Sequence, residues 1–352
     1  MVTSEDVAKR AGVSRATVSY VLNGKHTISE GTRARVLKAM KELSYFPNAN
    51  ARSLVGKRSD TLVVLASIGP GTDASGLFPF IAAVTGEARK RGGNVMLLPA
   101  DEGMGMLRRL AGESQAAGAF MLDVRIGDGR LAEAEQLPIP VVLIGNPMMR
   151  TELCAVDVDY HRVVDLAIEE LRAVGVRQVV TVSDVGDGAD QYGAAKNVFW
   201  FQEVFERYGR LAAEMHGLEF DFHGLANASS GAMRPLREQM RSWRPGDGHG
   251  MLVRTPGQAE WAMQLLLSVG LEPGRDVPVV AVCEDEDAQS MLVPVTNVSP
   301  MTRVVSKTAV SMMYDLLDGK AAPKEVRMVY PKLVRRASTI AAFEIGRHAD
   351  QL

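Results

Sequence analysis

The stretch DVAKRAGVSRATVSYVLNG, residues 6–24, decides the fold of the N-terminal part of the chain. Thr3 is suited to cap a first helix, with Asp6 three residues later in the pattern of a capping box. Gly12 ends that helix, and Ser14 is the next N-cap candidate. Two helices separated by so short a Gly-Val turn must cross, which is the spacing of a helix-turn-helix motif.

Apolar residues recur along this region with the spacing of helices that share one small core. A third amphipathic helix, from about Glu30 to Leu43, is predicted to close that core. The predicted core residues are Val7, Ala8, Ala11, Val13, Val18, Val21, Leu22, Val36, Leu37, Met40 and Leu43. The side chains of the second helix that are predicted to point elsewhere are Arg15, Ala16, Thr17, Ser19 and Tyr20.

Positive charge is concentrated in the same region. Residues 1–58 contain 11 Lys and Arg against 4 Asp and Glu, whereas the remainder contains 29 against 38, so a head of +7 joins a body of −9. The formal net charge of −2 hides this asymmetry. Basic charge in one small domain favours a polyanion binder over the alternative, a small globular module with no nucleic-acid role.

Residues 6–24 and the pattern TR-RV-KAM-EL-Y-PN-NARSL-G within 32–56 resemble the lac-repressor (LacI/GalR) family of bacterial transcription regulators. Further matches are PVVLIGN in mid-chain, VPVVAV, and PKLVRRAST near the end, so the resemblance covers nearly the whole chain. The family implies a sequence-specific DNA-binding transcriptional regulator, with a repressor as the favoured role. It also implies a homodimer on a pseudo-palindromic operator in double-stranded DNA.

The resemblance further implies which residues meet DNA. It places the helix from Ser14 to Leu22 in the major groove, with Arg15, Ala16 and Tyr20 facing base edges. Many relatives have Arg where this chain has Tyr20, and the alternative that this ring packs on the helix and the sugar backbone stays open. The residues at positions where the family contacts phosphates are Thr3, Ser14, Thr17, Asn23, Ser29, Thr32, Tyr45 and Asn48.

A second DNA-binding segment is predicted directly after the three helices. Pro47 and Asn48 suit a helix start, and only about two turns follow before Gly56, which is too short for a helix that is stable alone. The resemblance implies a hinge helix that orders when two copies meet over the minor groove, with Ala51 and Leu54 at the DNA and Leu54 wedged between base pairs. Alternatively, Leu54 is an ordinary apolar residue of a linker.

The rest of the chain alternates apolar runs, such as TLVVLA, NVMLLPA and GAFMLDV, with helical stretches, which predicts parallel sheets. Its length favours two lobes. The predicted fold is an N-terminal all-α helix-turn-helix headpiece with a hinge helix, followed by an α/β periplasmic-binding-protein-like body of two doubly wound lobes joined by three crossings. The predicted boundaries are 1–46 for the headpiece, 47–59 for the hinge and linker, 60–352 for the effector-binding and dimerisation body, about 60–158 and 289–352 for the first lobe, and about 159–288 for the second.

Multiple crossings between lobes make a hinged cleft, which is a natural site for a small-molecule effector. Many sugar- and purine-responsive relatives carry charged or bidentate groups where this chain has Asn197, Thr255-Pro256 and Cys283. An aromatic or less hydroxylated ligand anchored by one charge is therefore expected. The alternatives are a pocket without a diffusible effector, or with a protein co-regulator, and a core role for Phe199 and Trp200. The predicted pocket residues are Phe80, Asn197, Trp200, Arg254, Cys283 and Glu284.

Several other patterns point away from catalysis and cofactors. The glycine-rich GPGTDASG lacks the Lys-Ser/Thr of a phosphate-binding loop, and the four acids of residues 284–287 suggest a solvated turn. The six histidines are scattered, so no metal or other cofactor is predicted. If the body were an enzyme, Cys283 and Glu284 would be the candidate catalytic residues. No base-orienting residue accompanies them, so we expect a regulator without enzymatic activity.

Cys154 and Cys283 are expected to be small buried side chains in a reducing compartment, since they are the two cysteines of a 352-residue chain. No N-terminal signal or long apolar segment is present, which favours a cytoplasmic protein without a membrane partner. No leucine heptads follow PKLVRRAST, so a dimer is expected rather than a tetramer built on a C-terminal coiled coil.

Overall fold

The computed structural model describes residues 2–23, 28–43, 45, 59–68, 74–100, 103–184, 198–225, 233–320, 324 and 326–340. The chain divides into two compact units, Met1–Ser59 and Asp60–Leu352. The predicted hinge helix, with Ala51 and Leu54, lies outside the described residues.

The first unit contains the three predicted helices: α1 (Ser4–Ala11), α2 (Arg15–Asn23) and α3 (Glu30–Glu42). The capping box at the start of α1 is confirmed, because the Asp6 amide donates to Thr3 Oγ1 at 3.3 Å and Thr3 N donates to the Asp6 carboxylate at 2.8 Å. Gly12 follows α1 with a φ of +65°, a conformation that glycine adopts without strain. The chain can therefore turn into α2 within three residues.

One small apolar core holds these helices together. Its fully buried members are Val7, Ala8, Ala11, Val18, Val21, Val36 and Ala39, with Val13, Met40 and Leu43 packed against them. The prediction for Leu37 is wrong, because this side chain is 50% exposed. Val36, Ala39, Met40 and Leu43 share one face of α3, and Leu37 is turned about 100° away from Val36. The side chain of Leu22 lies outside the described residues.

The second unit is built from alternating strands and helices. From Asp60 onward the elements are, in chain order, β1 (Thr61–Ala66), α4 (Ala74–Lys90), β2 (Asn94–Pro99), α5 (Gly103–Gly112), β3 (Gly118–Met121), α6 (Leu131–Ala134), β4 (Val141–Ile144), β5 (Cys154–Val158), α7 (Tyr160–Ala173), β6 (Gln178–Asp184), α8 (Trp200–Glu203), a π-helical turn (Val204–Tyr208), α9 (Gly209–Met215), β7 (Glu219–Leu225), α10 (Arg234–Met240), β8 (His249–Val253), α11 (Pro256–Ser268), β9 (Val279–Val282), α12 (Asp285–Ser290), β10 (Thr296–Ser299), α13 (Thr302–Leu317), β11 (Val326–Val329) and β12 (Lys332–Val334).

Two six-stranded sheets form the centres of two lobes. The first sheet has the order β11-β5-β4-β3-β1-β2 with all its pairs parallel. The second has the order β12-β10-β9-β8-β6-β7, parallel except for the edge pair β10 and β12. Helices cover the central strands, so β1, β3 and β4 are buried on both faces, as near-continuous apolar runs require. The predicted two-lobe α/β body is confirmed.

The segment after residue 289 is divided between the lobes, which differs from the prediction that 289–352 belongs to the first lobe. Strand β10 pairs with β9, and β12 pairs with β10, so both lie in the second sheet. Helix α13 packs on α4, β4 and β5, and β11 pairs with β5, so these belong to the first lobe. In the described part of the chain the lobes are joined at 158–160, 299–302 and 329–332, which are three crossings as predicted.

The capping box predicts that Thr3 stabilises the first turn of α1. Replacing Thr3 with Ala removes the hydroxyl that accepts from the Asp6 amide, and the start of α1 should be destabilised by about 1 kcal/mol. Amide hydrogen exchange in the first turns of α1 should then accelerate roughly 5-fold under conditions of fast reclosing. Val2→Ala, which changes an exposed neighbour outside the helix, serves as the control. Equal exchange in Thr3→Ala and the unaltered protein would contradict the capping role.

Candidate nucleic-acid interface and inter-lobe cleft

The second helix of the first unit has one buried and one exposed face. Val18 and Val21 are directed into the core, whereas Arg15 and Ala16 are exposed and Tyr20 is 39% exposed one turn later. Since residues at i and i+4 lie on the same side of a helix, Ala16 and Tyr20 share this outer face, with Arg15 beside them. The three residues predicted to face base edges are thus brought together on one accessible surface.

Most of the predicted phosphate contacts lie at helix N-termini. Thr3 caps α1, Ser14 Oγ accepts from the Thr17 amide at 3.1 Å, and Ser29 Oγ accepts from the Thr32 amide at 3.4 Å. Helix N-termini present free N–H groups and a partial positive charge, which suit phosphate oxygens. These hydroxyls therefore stabilise the first turns of the helices. Each helix start is also a position where a phosphate could be bound.

The remaining predicted contacts are placed differently. Tyr45 is half-buried, packs against the three-helix core, and donates its amide to the Met40 carbonyl at 2.9 Å. The side chain of Asn23, and all of Asn48, Ala51 and Leu54, lie outside the described residues.

In the second unit, four of the six predicted pocket residues line one pocket between the lobes. Phe80 comes from α4 of the first lobe, whereas Arg254, Cys283 and Glu284 follow β8 and β9 of the second. Parallel strands place their carboxyl ends at one edge of the sheet, which explains why these residues meet. The pocket volume is about 40 Å³, room for a few water molecules and far less than the space that a bound sugar needs.

Trp200 does not line this pocket. It is 5% exposed and packs edge-on against His161, with ring centroids 4.9 Å apart. Phe199 stacks on Phe201 at 5.4 Å. Trp200 is therefore a core residue, which was the alternative left open by the sequence. Asn197 lies outside the described residues.

The positive charge of Arg254 is engaged within the second lobe. Its guanidinium forms an ion pair with Asp184 and lies over the Phe201 ring, 4.7 Å from the ring centroid. Gln258 Nε2 donates to the other oxygen of the same carboxylate. An ionic anchor for a ligand at Arg254 would therefore have to compete with Asp184, a pairing that was not predicted from the sequence.

The Glu284 carboxylate binds residues of the crossing between the lobes. One carboxylate oxygen accepts from the Thr302 amide at 2.7 Å, and the other accepts from the Ser299 hydroxyl at 2.9 Å. Met301, directly before Thr302, has a φ of +54°, so this crossing is a tight turn into α13. The carboxylate binds the first amide of α13, where a negative charge is favoured.

Cys283 is a buried thiol. It is 3% exposed, and burial, reinforced by the charge of Asp287, raises its pKa to about 12. Its backbone carbonyl accepts from Asn297 Nδ2 at 2.7 Å. A thiol with so high a pKa is protonated at neutral pH and is a poor nucleophile.

Asp157, a carboxyl group buried at the end of β5, was not among the residues predicted from the sequence. Burial raises its pKa to about 7, although the amides of Val158 and Asn146 and the indole N–H of Trp200 act in the opposite direction. Trp200 comes from the second lobe, and its Nε1 makes no hydrogen bond of good geometry. The signal available in the sequence was an acid inside the otherwise apolar strand CAVDV.

A second inter-lobe contact lies beside Asp157. The Ile126 amide of the first lobe donates to the Val198 carbonyl of the second at 2.9 Å, and Arg125 and Phe199 form an antiparallel bridge. Backbone hydrogen bonds therefore join the lobes in this conformation, which is consistent with the small pocket.

Models of known protein families match the sequence in both units. Residues 3–48 match the family model described as bacterial regulatory proteins, lacI family, and residues 152–339 match the periplasmic binding protein-like domain. The chain is 27% identical to the lactose operon repressor of Escherichia coli K12, over 97% of this chain and 91% of that protein. It is 28% identical to the transcriptional regulator CelR of Thermobifida fusca, over 93% and 95%.

Solved structures show the same fold. The lac repressor dimer bound to operator and the anti-inducer ONPF aligns with a TM-score of 0.75 at 23% identity, over 96% of this chain and 99% of that one. The CelR–cellobiose complex aligns with a TM-score of 0.62, also at 23% identity, over 96% and 100%.

The chain therefore joins a helix-turn-helix DNA-binding unit to a two-lobe periplasmic-binding-protein-like body. The chain carries the DNA-binding domain of the lacI family of bacterial regulatory proteins, followed by a periplasmic binding protein-like domain, and it is a DNA-binding transcriptional regulator. None of the helices among the described residues has the length and apolar character that a membrane crossing requires.

The raised pKa of Asp157 predicts that the stability of the protein depends on pH. Because its pKa is higher in the folded protein than in the unfolded chain, the folded state holds the proton more tightly, and stability is lost as pH rises from about 4 to 7. Asp157→Asn removes the ionisable group. This variant should be more stable than the unaltered protein at pH 8, by up to about 4 kcal/mol, and the difference should vanish near pH 4.

Urea unfolding followed by tryptophan fluorescence at pH 5, 6, 7 and 8 measures this difference. Asp318→Asn, at an exposed carboxylate after α13, is the matched control and should not change the pH trend. A stability gap between Asp157→Asn and the unaltered protein that stays constant across the series would contradict the raised pKa.

Proposed function

We propose that this regulator binds a pseudo-palindromic operator as a homodimer and acts as a repressor whose affinity is modulated by a small molecule in the inter-lobe cleft. The observation that carries the DNA-binding part is the outer face of α2. Arg15, Ala16 and Tyr20 are accessible there, on a head that carries a charge of +7. Arg15 can donate two hydrogen bonds to a guanine, whereas the hydroxyls at the helix starts suit phosphates.

An exposed apolar surface on the first lobe supports dimerisation. Phe78 on α4 is 66% exposed, and Met96 and Leu97 are exposed on β2, which is the edge strand of the first sheet. Exposed apolar side chains on an edge strand and on the helix packed beside it are typical of protein–protein contacts. The aligned lac repressor structure is a dimer on its operator. Two-fold symmetry of such a dimer would require an operator with two inverted half-sites.

The hinge is the proposed link between body and DNA. Residues 47–58 lie outside the described residues, so this part rests on the resemblance of NARSL to the family and on the short length of the helix. A helix of about two turns is marginal by itself and needs a partner or DNA to order it. In the proposed complex, Ala51 and Leu54 lie in the minor groove, with Leu54 between base pairs.

The cleft is the proposed effector site. The pocket lined by Phe80, Arg254, Cys283 and Glu284 is small when the lobes are joined through Ile126 and Val198, so a sugar-sized ligand would fit into it only if the lobes separate, and its binding would then change their relative position. Structures of relatives contain ONPF or cellobiose. The neutral Thr255 and Cys283 and the internal pairing of Arg254 favour a less polar ligand here. A coupling of about 1–3 kcal/mol between effector and DNA is expected.

We further propose that the body has no enzymatic activity and that the protein works in the cytoplasm. The Cys283 thiol is protonated at neutral pH, and Glu284 is bound to Thr302 and Ser299, so neither of the suspected catalytic groups is available for chemistry. The alternative regulator, one without a diffusible effector, would show operator binding that no metabolite changes.

Selection of bound DNA from a random pool tests the proposed function. The unaltered protein should enrich an inverted repeat, and Arg15→Ala should relax the preference at one position of each half-site by about 1–3 kcal/mol, because a bidentate guanine contact is lost. Repeating the selection with pooled metabolites tests the effector. Enrichment of no common sequence would contradict sequence-specific binding, and a uniform loss over all sequences in Arg15→Ala would make Arg15 a phosphate contact.

Leu54→Ala tests the hinge. Removal of the wedge should weaken binding to the selected operator by roughly 10-fold or more, because kinking must then proceed without the inserted side chain. Sedimentation velocity should show that the dimer is retained. Unchanged affinity in a gel-shift titration would contradict the hinge role of Leu54.

A further inference from the structure

A hydrogen bond joins the two helices of the helix-turn-helix motif at their starts. Ser4 is the first residue of α1, Arg15 is the first residue of α2, and Arg15 Nε donates to Ser4 Oγ at 3.2 Å. Among the described residues, Ser4 is the only hydrogen-bond partner of the Arg15 side chain. The family resemblance assigns no role to Ser4, which lies outside the predicted set of DNA contacts.

The local structure holds both ends of this contact. Thr3, the residue directly before Ser4, caps α1, and Ser14, the residue directly before Arg15, caps α2. The left-handed Gly12 turn brings the two helix starts together. Ser4 is half-buried, so its hydroxyl has a fixed place against which the long and exposed Arg15 side chain can be ordered.

The contact with Ser4 leaves available the Arg15 N–H donors that a base would need. A guanidinium has five N–H donors, and a bond from Nε leaves Nη1 and Nη2, whose paired donors match O6 and N7 of guanine. Ser4 is a neutral partner, so it does not cancel the positive charge of Arg15, as a carboxylate would. The Ser4 hydroxyl accepts from Arg15, and its own O–H can still donate to a phosphate.

Ordering Arg15 before binding has a thermodynamic consequence. A free arginine side chain loses rotamer entropy when it is fixed against a base, and a contact that fixes it beforehand reduces that loss. The benefit appears only for the base that the ordered guanidinium can meet. The contact should therefore increase discrimination between bases more than it increases affinity for DNA in general.

We infer that Ser4 is a positioning residue that directs Arg15 at its base pair and thereby contributes to operator specificity. The inference rests on the proposed role of Arg15 in base recognition. It adds a residue from α1, outside the recognition helix, to the set that determines the sequence preference.

A double-mutant cycle on the full-length protein tests the inference. Binding is measured at fixed salt to the selected operator and to an operator altered only at the base pair whose preference depends on Arg15. Ser4→Ala should lower the ratio of the two affinities by roughly 2- to 10-fold, the range expected for one lost hydrogen bond. Ser4→Thr keeps a hydroxyl and should restore most of the ratio. In an Arg15→Ala background, Ser4→Ala should have no further effect on the ratio.

Glu5→Gln is the matched control. Glu5 is the next residue of α1, is exposed, and pairs with Lys9 at 3.6 Å. Loss of its negative charge should increase affinity for both operators alike and leave their ratio unchanged. Circular dichroism of each variant should show unchanged helix content, which separates positioning from unfolding of α1.

The outcomes distinguish the inference from the proposed function. If Arg15→Ala relaxes the base preference but Ser4→Ala leaves it unchanged, the positioning role is overturned and the function stands. If Ser4→Ala weakens binding to both operators equally, with and without Arg15, Ser4 is an independent phosphate contact and the positioning role is also overturned. If Arg15→Ala changes no base preference, base recognition by Arg15 fails, and the inference fails with it.

Discussion

The hydroxyl caps at the helix starts are the interactions on which the DNA-binding unit depends. Thr3, Ser14 and Ser29 each accept a hydrogen bond from a backbone amide that has no partner within its helix. The caps fix where each helix begins, and the beginning of a helix fixes which face each later residue occupies. The outward position of Arg15 and Tyr20, and the approach of Ser4 to Arg15, follow from these starting points.

In the body, the charges nearest the cleft are mostly used within the protein. Asp184 pairs with Arg254, and Glu284 binds the first turn of α13 at a crossing. Asp157 is an exception, because it is a buried carboxyl at a contact with the second lobe and has no cation paired with it in the described residues. The lobes are joined by a backbone hydrogen bond from Ile126 to Val198, and the pocket that contains Arg254 and Glu284 is small, which favours lobe movement as the step that ligand binding controls.

Local patterns predicted much of the fold. The caps, the Gly12 turn, the bounds of α1 to α3 and the alternation of buried strands with helices were expected, since each depends on residues within a few positions of one another. Leu37 was placed wrongly although it also lies on a helix. Here a run of two apolar residues, Val36 and Leu37, does not tell which one points inward, and the periodicity with Ala39, Met40 and Leu43 decides it.

The sequence by itself determined that a basic three-helix DNA-binding head precedes an α/β body of two lobes, because charge distribution, capping and hydrophobic periodicity are local properties. Tertiary structure alone decided that β10 and β12 complete the second sheet, that Asp184 neutralises Arg254, and that Trp200 is buried over Asp157. Each of these joins residues tens of positions apart. Strand pairing and side-chain contacts over such separations depend on how the whole chain packs, and no short stretch of sequence specifies them.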